Sequence, residues 1–233
     1  VGYIDDLIKM FSPDTRTILN LGCGTGKHDE YLAKKGYVIN GIDLSSSMIE
    51  IANNNKSTLP NNIGENLHFM EGNIQHVRLN KLYDLVISLF HVMSYQNTDT
   101  EVVDSLKTAS AHLKKGGVFI FDCWHKPAVM KDPPQIRKKI ISDEKIKVKR
   151  TSTPNWIKES NIIEINFNIE LSNFTDDQVD IIEEKHSMRY FNESEILNFA
   201  KNAGFKILKS VEWLTQVPAS NKSWYVVYIL QKL

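Results

Sequence analysis

The sequence has very little cysteine, no excess of charge of either sign and no long apolar run. Its 233 residues include only two cysteines, Cys23 and Cys123, which are too few for a disulfide framework. The 28 Lys and Arg residues balance 28 Asp and Glu residues, so no basic field favours DNA or RNA as a partner. No apolar run approaches the ~20 residues that span a bilayer, and no signal peptide is recognisable. These absences favour a cytoplasmic protein with neither nucleic acid nor membrane as partner.

Short apolar strands alternate with helices along the first half of the chain and return at its end. The strands are predicted at 17–21, 37–43, 67–71, 83–89, 118–121, 205–214 and 224–232. Helical spacing or helix-capping residues mark 4–11, 28–35, 46–53, 100–115 and 192–203. Strands that alternate with helices form a parallel sheet with right-handed crossovers. The sequence therefore predicts an α/β fold, Rossmann-like, with a seven-stranded and mostly parallel sheet.

The pattern changes between residues 145 and 190, where apolar and polar residues alternate singly. Ile163, Ile165 and Phe167 alternate with Glu164 and Asn166, which is typical of a half-exposed antiparallel strand. We therefore predict a core formed by 1–125 and 191–233, with a small antiparallel β insertion at 126–190. The insertion is expected either to cover the acceptor site or to make a dimer contact, in a monomer or a homodimer.

A glycine-rich segment follows the first predicted strand and opens a helix: Leu21-Gly22-Cys23-Gly24-Thr25-Gly26. Glycines at such a turn let backbone N–H groups approach a ligand closely. A P-loop would need a glycine at Leu21 and a Ser or Thr at His28, so that motif is excluded. A dinucleotide-binding fingerprint would need a third glycine at Lys27, and dinucleotide binding is therefore disfavoured.

Several further motifs follow this loop in order. Gly41-Ile42-Asp43-Leu44-Ser45 ends the second strand, Ser45 to Met48 has the form Ser-x-x-Met, and Glu71-Gly72-Asn73-Ile74 ends the third. With Tyr83 to Ser88 and Leu113 to Gly117, the set resembles the class I S-adenosylmethionine-dependent methyltransferases over about residues 14–125.

The resemblance implies S-adenosylmethionine as cofactor and assigns roles to residues. Asp43 is expected to bind both ribose hydroxyls, since a carboxylate accepts two hydrogen bonds at once. Met48 is expected to pack on the adenine. Asn73 stands where the family has Asp, so the contact to the adenine amine is expected to survive in weakened form. The complete set of predicted cofactor-binding residues is Leu21, Gly22, Cys23, Gly24, Gly26, His28, Asp43, Leu44, Met48, Gly72, Asn73, Ile74, Leu89 and Phe90.

The predicted acceptor site lies beyond the carboxyl ends of the fourth and fifth strands, where ligands bind in open α/β sheets. His91 is the candidate general base there, with a structural histidine as the alternative. Residues 90–95, Trp124 and the insertion look like the sugar-nucleotide amino N-methyltransferases, as does His28. The predicted acceptor-binding residues are Tyr95, Trp124, His186 and Tyr190.

The sequence thus predicts methyl transfer to a small-molecule acceptor, favouring an amino group of a sugar or sugar nucleotide. An O-methyltransferase of a sugar or other metabolite is the alternative within the same fold. From other classes, a non-catalytic S-adenosylmethionine-binding protein and a nucleotide-dependent oxidoreductase stay open. No cluster of Asp and Asn suits a magnesium site beside the acceptor, so no metal is expected.

Overall fold

A computed structural model describes residues 2–157, 160–174 and 179–233. Its helices are α1 (Gly2–Phe11), α2 (Lys27–Ala33), α3 (Ser46–Ser57), α4 (Asn61–Gly64), α5 (Asp99–His112), α6 (Lys126–Lys131) and α7 (Glu193–Asn202). Its strands are β1 (Thr17–Leu21), β2 (Val38–Asp43), β3 (Leu67–Glu71), β4 (Tyr83–Ser88), β5 (Leu113–His125), β6 (Arg137–Ser142), β7 (Ile146–Ile157), β8 (Ile162–Asn173), β9 (Val179–Phe191), β10 (Phe205–Glu212) and β11 (Tyr225–Lys232).

The central sheet has the strand order β3-β2-β1-β4-β5-β11-β10. Neighbouring strands from β3 to β5 run parallel, whereas β11 runs antiparallel to both β5 and β10. The predicted α/β class with a mostly parallel, seven-stranded sheet is confirmed. The order reverses between β1 and β4, so the carboxyl ends of these two strands flank a crevice of the kind that holds ligands.

Burial explains why these segments become strands and helices. Four of the five residues of β1 are buried, as expected for a parallel strand covered by helices on both faces. Helix α5 begins with a complete capping box between Thr98 and Glu101, and α7 begins with one between Asn192 and Glu195. Each box satisfies backbone N–H groups that the first turn leaves free.

The end of α5 differs from the sequence-based expectation. The helix ends at His112, Leu113 caps it, and β5 already begins there. Gly116 and Gly117 directly follow the predicted helix at 100–115, which suggests a helix C-cap, but they do not form one. They lie in β5 at an irregularity in its pairing with β4, and Gly116 has a φ of 77°, which a glycine adopts without steric cost.

Strands β6 to β9 form an antiparallel sheet, here called the insertion sheet, that joins the central sheet through β9. Trp124 and His125 at the end of β5 pair in parallel with Tyr190 and Phe191 of β9. Helix α6 precedes the insertion sheet, so the segment predicted to be antiparallel begins with a short helix. The division into a core and an insertion at residues 126–190 stays a prediction.

The buried Arg189 side chain ties β9 to the helices of the core. Its Nη2 lies 2.6 Å from Asp99 Oδ1 and 3.4 Å from Glu195 Oε1. Its guanidinium also lies over the rings of Phe191 and Phe199, a favourable cation–π geometry. These contacts fix the end of β9 that pairs with β5 to helices α5 and α7.

Candidate active site

The glycine loop between β1 and α2 has the backbone geometry that its sequence predicts. Gly22, Gly24 and Gly26 have φ angles of 86°, 54° and 72°, in the region that favours glycine. A Cβ on Gly22 would lie 2.5 Å from Val92, and one on Gly26 would lie 2.6 Å from Phe69. A Cβ on Gly24 would meet nothing within 4 Å. The loop is therefore packed on one side and open on the other, as a ligand cradle requires.

The carboxylate of Asp43 is held at the open side of this loop. Its Oδ2 accepts a hydrogen bond from Gly24 N at 2.7 Å, and its Oδ1 accepts one from Ser45 N at 3.0 Å. Each carboxylate oxygen can accept about two hydrogen bonds, so each keeps one acceptor position for a ligand hydroxyl. The two oxygens are thus preoriented to receive a vicinal pair of hydroxyl groups such as those of a ribose.

Two apolar residues follow Asp43 in the chain, and a polar residue follows the neighbouring strand β3. Leu44 and Met48 expose 68% and 40% of their surface, so both apolar side chains are accessible for contact with a planar ring. On the neighbouring strand end, Asn73 Oδ1 accepts from Gln75 N at 2.8 Å. One lone pair of that oxygen remains for an amine donor, so the oxygen can still accept the predicted, weakened hydrogen bond from the adenine amine.

The remaining predicted cofactor residues surround the same crevice. Leu21, Ile74 and Leu89 are buried beneath it. Cys23 is also buried, and burial raises the pKa of its thiol far above the usual range, so Cys23 is a packing residue without nucleophilic character. Gly72 packs on Ile42 and Val77, and its N–H donates to Asp43 O at 2.9 Å.

A buried polar pair that the sequence analysis did not identify lies under the loop. Asn20 Nδ2 donates to Asp29 Oδ1 at 2.7 Å, and Asp29 is fully buried. A Cβ on Gly41 would lie 2.9 Å from Asp29 Oδ2, which places this carboxyl between the ends of β1 and β2. Burial raises the pKa of Asp29 from 3.8 to about 7, although the hydrogen bond from Asn20 lowers it.

We expect the Asp29→Asn variant to be more stable than the wild type at pH 8, with the gain shrinking as the pH falls toward 4. The pKa of Asp29 is higher in the folded state, so the folded protein binds the additional proton between pH 3.8 and about 7. Below pH 3.8 the protonated Asp29 stabilises the folded state, and this stabilisation is lost as the pH rises to about 7. Thermal denaturation at several pH values measures the effect, and several degrees are expected at pH 8.

The matched control for that experiment is Glu30→Gln on the same helix. Hydrogen bonding and ion pairing with Lys34 lower the pKa of Glu30, so this variant is expected to be slightly less stable than the wild type at pH 8. A pH-independent change in Asp29→Asn would contradict a buried, titrating carboxyl.

The chain turns sharply after β4 through two residues in the left-handed region. Phe90 and His91 have φ angles of 63° and 65°, a conformation that costs non-glycine residues on the order of 1–3 kcal/mol each. A 3-10 turn from Val92 to Tyr95 follows. Consecutive strained residues of this kind are found where a site requires a particular side-chain direction.

The turn directs His91 onto Asp122, an acidic residue of β5 that the sequence analysis did not single out. His91 Nδ1 lies 2.5 Å from Asp122 Oδ2, and His91 N donates to the same oxygen at 3.1 Å. The carboxyl of Asp122 is fully buried. A carboxylate this close to Nδ1 favours the neutral tautomer with its hydrogen on Nδ1, in which Nε2 keeps the lone pair.

The His91 ring also stacks on Tyr225 of β11, with centroids 4.4 Å apart and an interplanar angle of 16°. His91 and Tyr95 are four residues apart and would share a face if the turn between them were α-helical, but the two side chains have different partners. The 3-10 turn starts after His91, and Tyr95 instead contacts His186 of β9. His91 is therefore fixed on three sides by Asp122, its own backbone and Tyr225.

Aromatic side chains line the crevice between the glycine loop and His91. The His28 ring lies 4.4 Å from that of Phe90, which lies 5.6 Å from that of Trp213, and Tyr3 of α1 contacts Trp213. Together they border a small cavity of about 200 Å³. Burial lowers the pKa of His28, which favours its neutral form. Tyr3 and Trp213 were not predicted, because they come from opposite ends of the chain.

A larger cavity of about 410 Å³ lies on the other side of Tyr225, under the insertion sheet. Trp124, Trp224 and Tyr225 form its aromatic wall, and its charged lining residues are Arg137, Arg150 and Asp132, which leaves a net positive charge. The Arg150 guanidinium lies over the Phe167 ring at 5.2 Å. Tyr225 stacks on His91 and also lines this cavity, so His91 lies beside the cavity, while its neighbour Val92 packs on Gly22 of the glycine loop.

Of the four predicted acceptor residues, His186 and Tyr190 lie on β9, Tyr95 on the 3-10 turn and Trp124 on β5, and only Trp124 lines the large cavity. Tyr95 Oη and His186 Nδ1 are 2.8 Å apart, and His186 Nε2 lies 3.1 Å from Glu184 Oε2. His186 contacts the ring of Phe167, a lining residue of the cavity. Tyr190 is buried against Trp156. Contact of Tyr95, His186 and Tyr190 with an acceptor stays a prediction.

Neither a membrane-spanning helix nor a cluster of metal-binding side chains is found in the part of the chain that the structure describes. No helix there has the length and hydrophobicity needed to cross a bilayer. Among the same residues, no three His, Cys, Asp or Glu side chains converge in a way that could hold a metal ion.

Comparison with known proteins agrees with this geometry. Residues 18–117 match a family model described as a methyltransferase domain. Over 129 residues the chain is 30% identical to a dTDP-3-amino-3,4,6-trideoxy-α-D-glucopyranose N,N-dimethyltransferase of Streptomyces venezuelae, covering 55% of this chain and 51% of that protein. The chain therefore matches about half the length of this relative.

Solved structures show the same fold over nearly the whole chain. A methyltransferase from Clostridium acetobutylicum, described as S-adenosylmethionine-dependent, superimposes with a TM-score of 0.82 at 20% identity, covering 99% of this chain and 89% of that one. An amino pentose methyltransferase from Micromonospora echinaspora, solved with S-adenosylmethionine bound, gives a TM-score of 0.78 at 21% identity, covering 100% of this chain and 89% of that one.

Proposed function

Because the chain contains an S-adenosylmethionine-dependent methyltransferase domain, we propose that it transfers the methyl group of this cofactor to an amino group of a sugar or sugar nucleotide. The observation that carries the proposal is the arrangement of three features: the glycine loop, the His91–Asp122 pair and the large cavity. The glycine loop with Asp43 packs on Val92, which follows His91, and Tyr225 stacks on His91 and lines the large cavity, so the His91–Asp122 pair is linked to both. We also propose that the acceptor is a small molecule, that nucleic acid is not a partner and that the protein is cytoplasmic.

The residues present fit the cofactor. Asp43 would bind the two ribose hydroxyls through its free acceptor positions, Leu44 and Met48 would contact the adenine, and the open side of the glycine loop would receive the amino acid part. When bound, S-adenosylmethionine supplies an activated methyl group on a sulfonium, which an acceptor displaces in line. Catalysis therefore depends mainly on positioning and on the exclusion of water.

His91 is placed to accept the proton that the acceptor loses. As a neutral amine nitrogen forms its bond to the methyl carbon, the sulfonium–methyl bond breaks toward sulfur, and the methylated ammonium that results then loses one proton. Nε2 of His91 has the free lone pair for this step, and Asp122 stabilises the resulting imidazolium. Burial and the charge of Asp122 raise the pKa of Tyr3 to about 12, so its hydroxyl is a donor and not a base at neutral pH.

The charge of the large cavity supports an acceptor that carries an anionic group. Arg137 and Arg150 lie at the end of the cavity formed by the insertion sheet, and the tryptophans lie at the end formed by the central sheet. Guanidinium groups suit phosphate oxygens, and indole rings suit planar or sugar rings. O-methylation of a similar acceptor remains the alternative within this fold, since His91 would serve a hydroxyl equally well.

A methyl-transfer assay with a nucleotide-linked amino sugar and the Arg150→Gln variant tests the proposal. We expect the wild type to methylate the amine. We expect Arg150→Gln to raise the acceptor KM roughly 10- to 100-fold, because a hydrogen bond to a charged group contributes about 1.5–3 kcal/mol. Cofactor affinity, measured by calorimetry, should stay unchanged.

The matched control is Lys149→Gln, the neighbouring position on the opposite face of β7, where Lys149 pairs with Glu170. This variant should leave the acceptor KM unchanged. Equal methylation of a nucleotide-linked and an uncharged amino sugar, with no effect of Arg150→Gln, would exclude the anionic acceptor. Cofactor binding without methylation of any amine or hydroxyl would favour the non-catalytic binding protein.

A further inference from the structure

The turn that carries His91 is strained and is held in place by contacts from outside it. Phe90 and His91 both have positive φ angles, and residues in such conformations persist only where the surrounding structure fixes them. Asp122 holds His91 through its imidazole and through its backbone N–H. The 3-10 turn from Val92 to Tyr95 follows directly, so a group that fixes this turn also fixes the direction of the His91 side chain.

The side chain of Gln96 is one such group. Gln96 caps the 3-10 turn and is only 5% exposed. Its Nε2 donates to Val92 O at 3.3 Å, and Val92 is the residue that follows His91. Its Oε1 accepts from Gln75 Nε2 at 2.9 Å and from Ser105 Oγ at 3.3 Å. Both lone pairs of this oxygen are therefore used, which orients the carboxamide with its nitrogen toward Val92.

The two donors to Gln96 are themselves fixed in the core. Ser105 is fully buried on α5. Gln75 follows β3, where its N–H donates to Asn73 Oδ1 at 2.8 Å and its carbonyl accepts from Thr108 Oγ1 of α5 at 3.0 Å. Hydrogen bonds thus connect Asn73, the proposed partner of the adenine amine, through Gln75 and Gln96 to the 3-10 turn.

A buried carboxamide at this position indicates a role for its hydrogen bonds. A buried residue that only fills space is usually apolar, because a buried polar group costs free energy unless it is paired. Here the hydrogen bonds reach the turn after β4, the segment after β3 and helix α5. We propose that Gln96 is a positioning residue: by holding the Val92 carbonyl, it fixes the turn that keeps His91 on Asp122. This inference rests on the proposed role of His91 as the base.

Replacing Gln96 by methionine tests this role, because methionine has a similar length and shape but no amide. We expect kcat for methyl transfer to fall on the order of 10-fold, since a small misplacement of a catalytic group is costly. The dissociation constant of S-adenosylmethionine, measured by calorimetry, should stay within about 3-fold of the wild-type value. The reason is that the contacts of Asp43 with Gly24 N and Ser45 N do not involve Gln96.

The matched control is His112→Met, at the opposite end of α5. His112 is also buried, and its Nε2 accepts a hydrogen bond from Leu79 N at 2.7 Å. Its loss therefore removes a comparable contact between a buried polar side chain and the backbone. Both variants should be less stable than the wild type in thermal denaturation, which also shows that they are folded at the assay temperature. Only Gln96→Met should lower kcat.

A double-variant cycle shows whether Gln96 acts through His91. If it does, Gln96→Met should cause no further loss of kcat when it is added to His91→Gly, because the group that it positions is already absent. A defect that reduces activity by another route would lower the rate by the same factor with and without the His91 imidazole. The four rates are measured with the same acceptor at saturating cofactor.

A spectroscopic readout does not depend on activity. The Nδ1–H of His91, bonded to the buried carboxylate of Asp122, should give a downfield imidazole proton resonance, assigned by its absence in His91→Gly. We expect this resonance to shift or broaden in Gln96→Met and to be unchanged in His112→Met. An unchanged resonance in Gln96→Met, or equal falls in kcat with and without His91, would overturn the proposal. A wild type without methyl transfer would refute the proposed function alone, because the resonance still reports on Gln96.

Discussion

Replacing Asp43 by alanine is expected to abolish measurable binding of S-adenosylmethionine while leaving the fold intact. The ribose would lose both of its hydrogen bonds to the carboxylate, and each hydrogen bond to a charged group contributes about 1.5–3 kcal/mol. The glycine loop would also lose the bond from Gly24 N to Asp43 Oδ2, which fixes its open side. We expect the dissociation constant to rise at least ~100-fold, measured by isothermal titration calorimetry with the cofactor and its demethylated product.

Two companion variants make this test specific. Asp43→Asn keeps the shape of the side chain but brings an amide donor toward Gly24 N or Ser45 N, so it should bind nearly as poorly as Asp43→Ala. Glu71→Gln changes an exposed carboxylate that pairs in register with Asp43 on the neighbouring strand end. It should bind the cofactor normally. Unchanged affinity in Asp43→Ala would refute its role at the ribose.

Replacing His91 by glycine is expected to reduce kcat on the order of 100-fold, with cofactor affinity largely kept. General-base catalysis typically contributes this much or more, and the side chain points toward Asp122 and Tyr225 and away from the Asp43 end of the crevice. Asp122→Asn should show a smaller loss, because the base remains while its orientation and charge stabilisation weaken.

Added imidazoles distinguish a base from a structural histidine at this position. We expect them to restore turnover in His91→Gly, with a rate that increases with the basicity of the imidazole. His186→Ala is the control, since His186 lies against Phe167 and Tyr95 at the far side of the cavity and its loss should not create a site for imidazole rescue. Full activity of His91→Gly would exclude a base at this position.

The geometry of the half of the site that we propose for the cofactor could be predicted from the sequence because its residues are local. Gly22 to Gly26 and Asp43 follow their strands directly, and parallel strands bring their carboxyl ends to one edge. The backbone contacts from Gly24 and Ser45 to Asp43 follow from that arrangement. The strands and the two capping boxes were predictable for the same reason, since apolar runs and capping residues act within one turn or one strand.

The acceptor half could not be predicted in the same way because it is assembled from distant segments. Tyr225 reaches His91 only after β11 inserts beside β5, and Arg150 reaches the cavity only through the register of the insertion sheet. No local pattern distinguishes Arg150 from the lysines around it. Asp122 could have been noticed, since a buried carboxylate at a strand end needs a partner, but its partner depends on the left-handed turn at Phe90 and His91.

The junction between β5 and β9 has a consequence for how the range of acceptors can change. The two sheets are joined by the pairing of residues 124–125 with 190–191 and by the contacts of Arg189. Substitutions or length changes in the outer parts of β6 to β9 therefore leave the cofactor crevice undisturbed. If the central sheet binds the methyl donor and the insertion sheet the acceptor, as we propose, new acceptor preferences should be obtainable by grafting the outer strands alone.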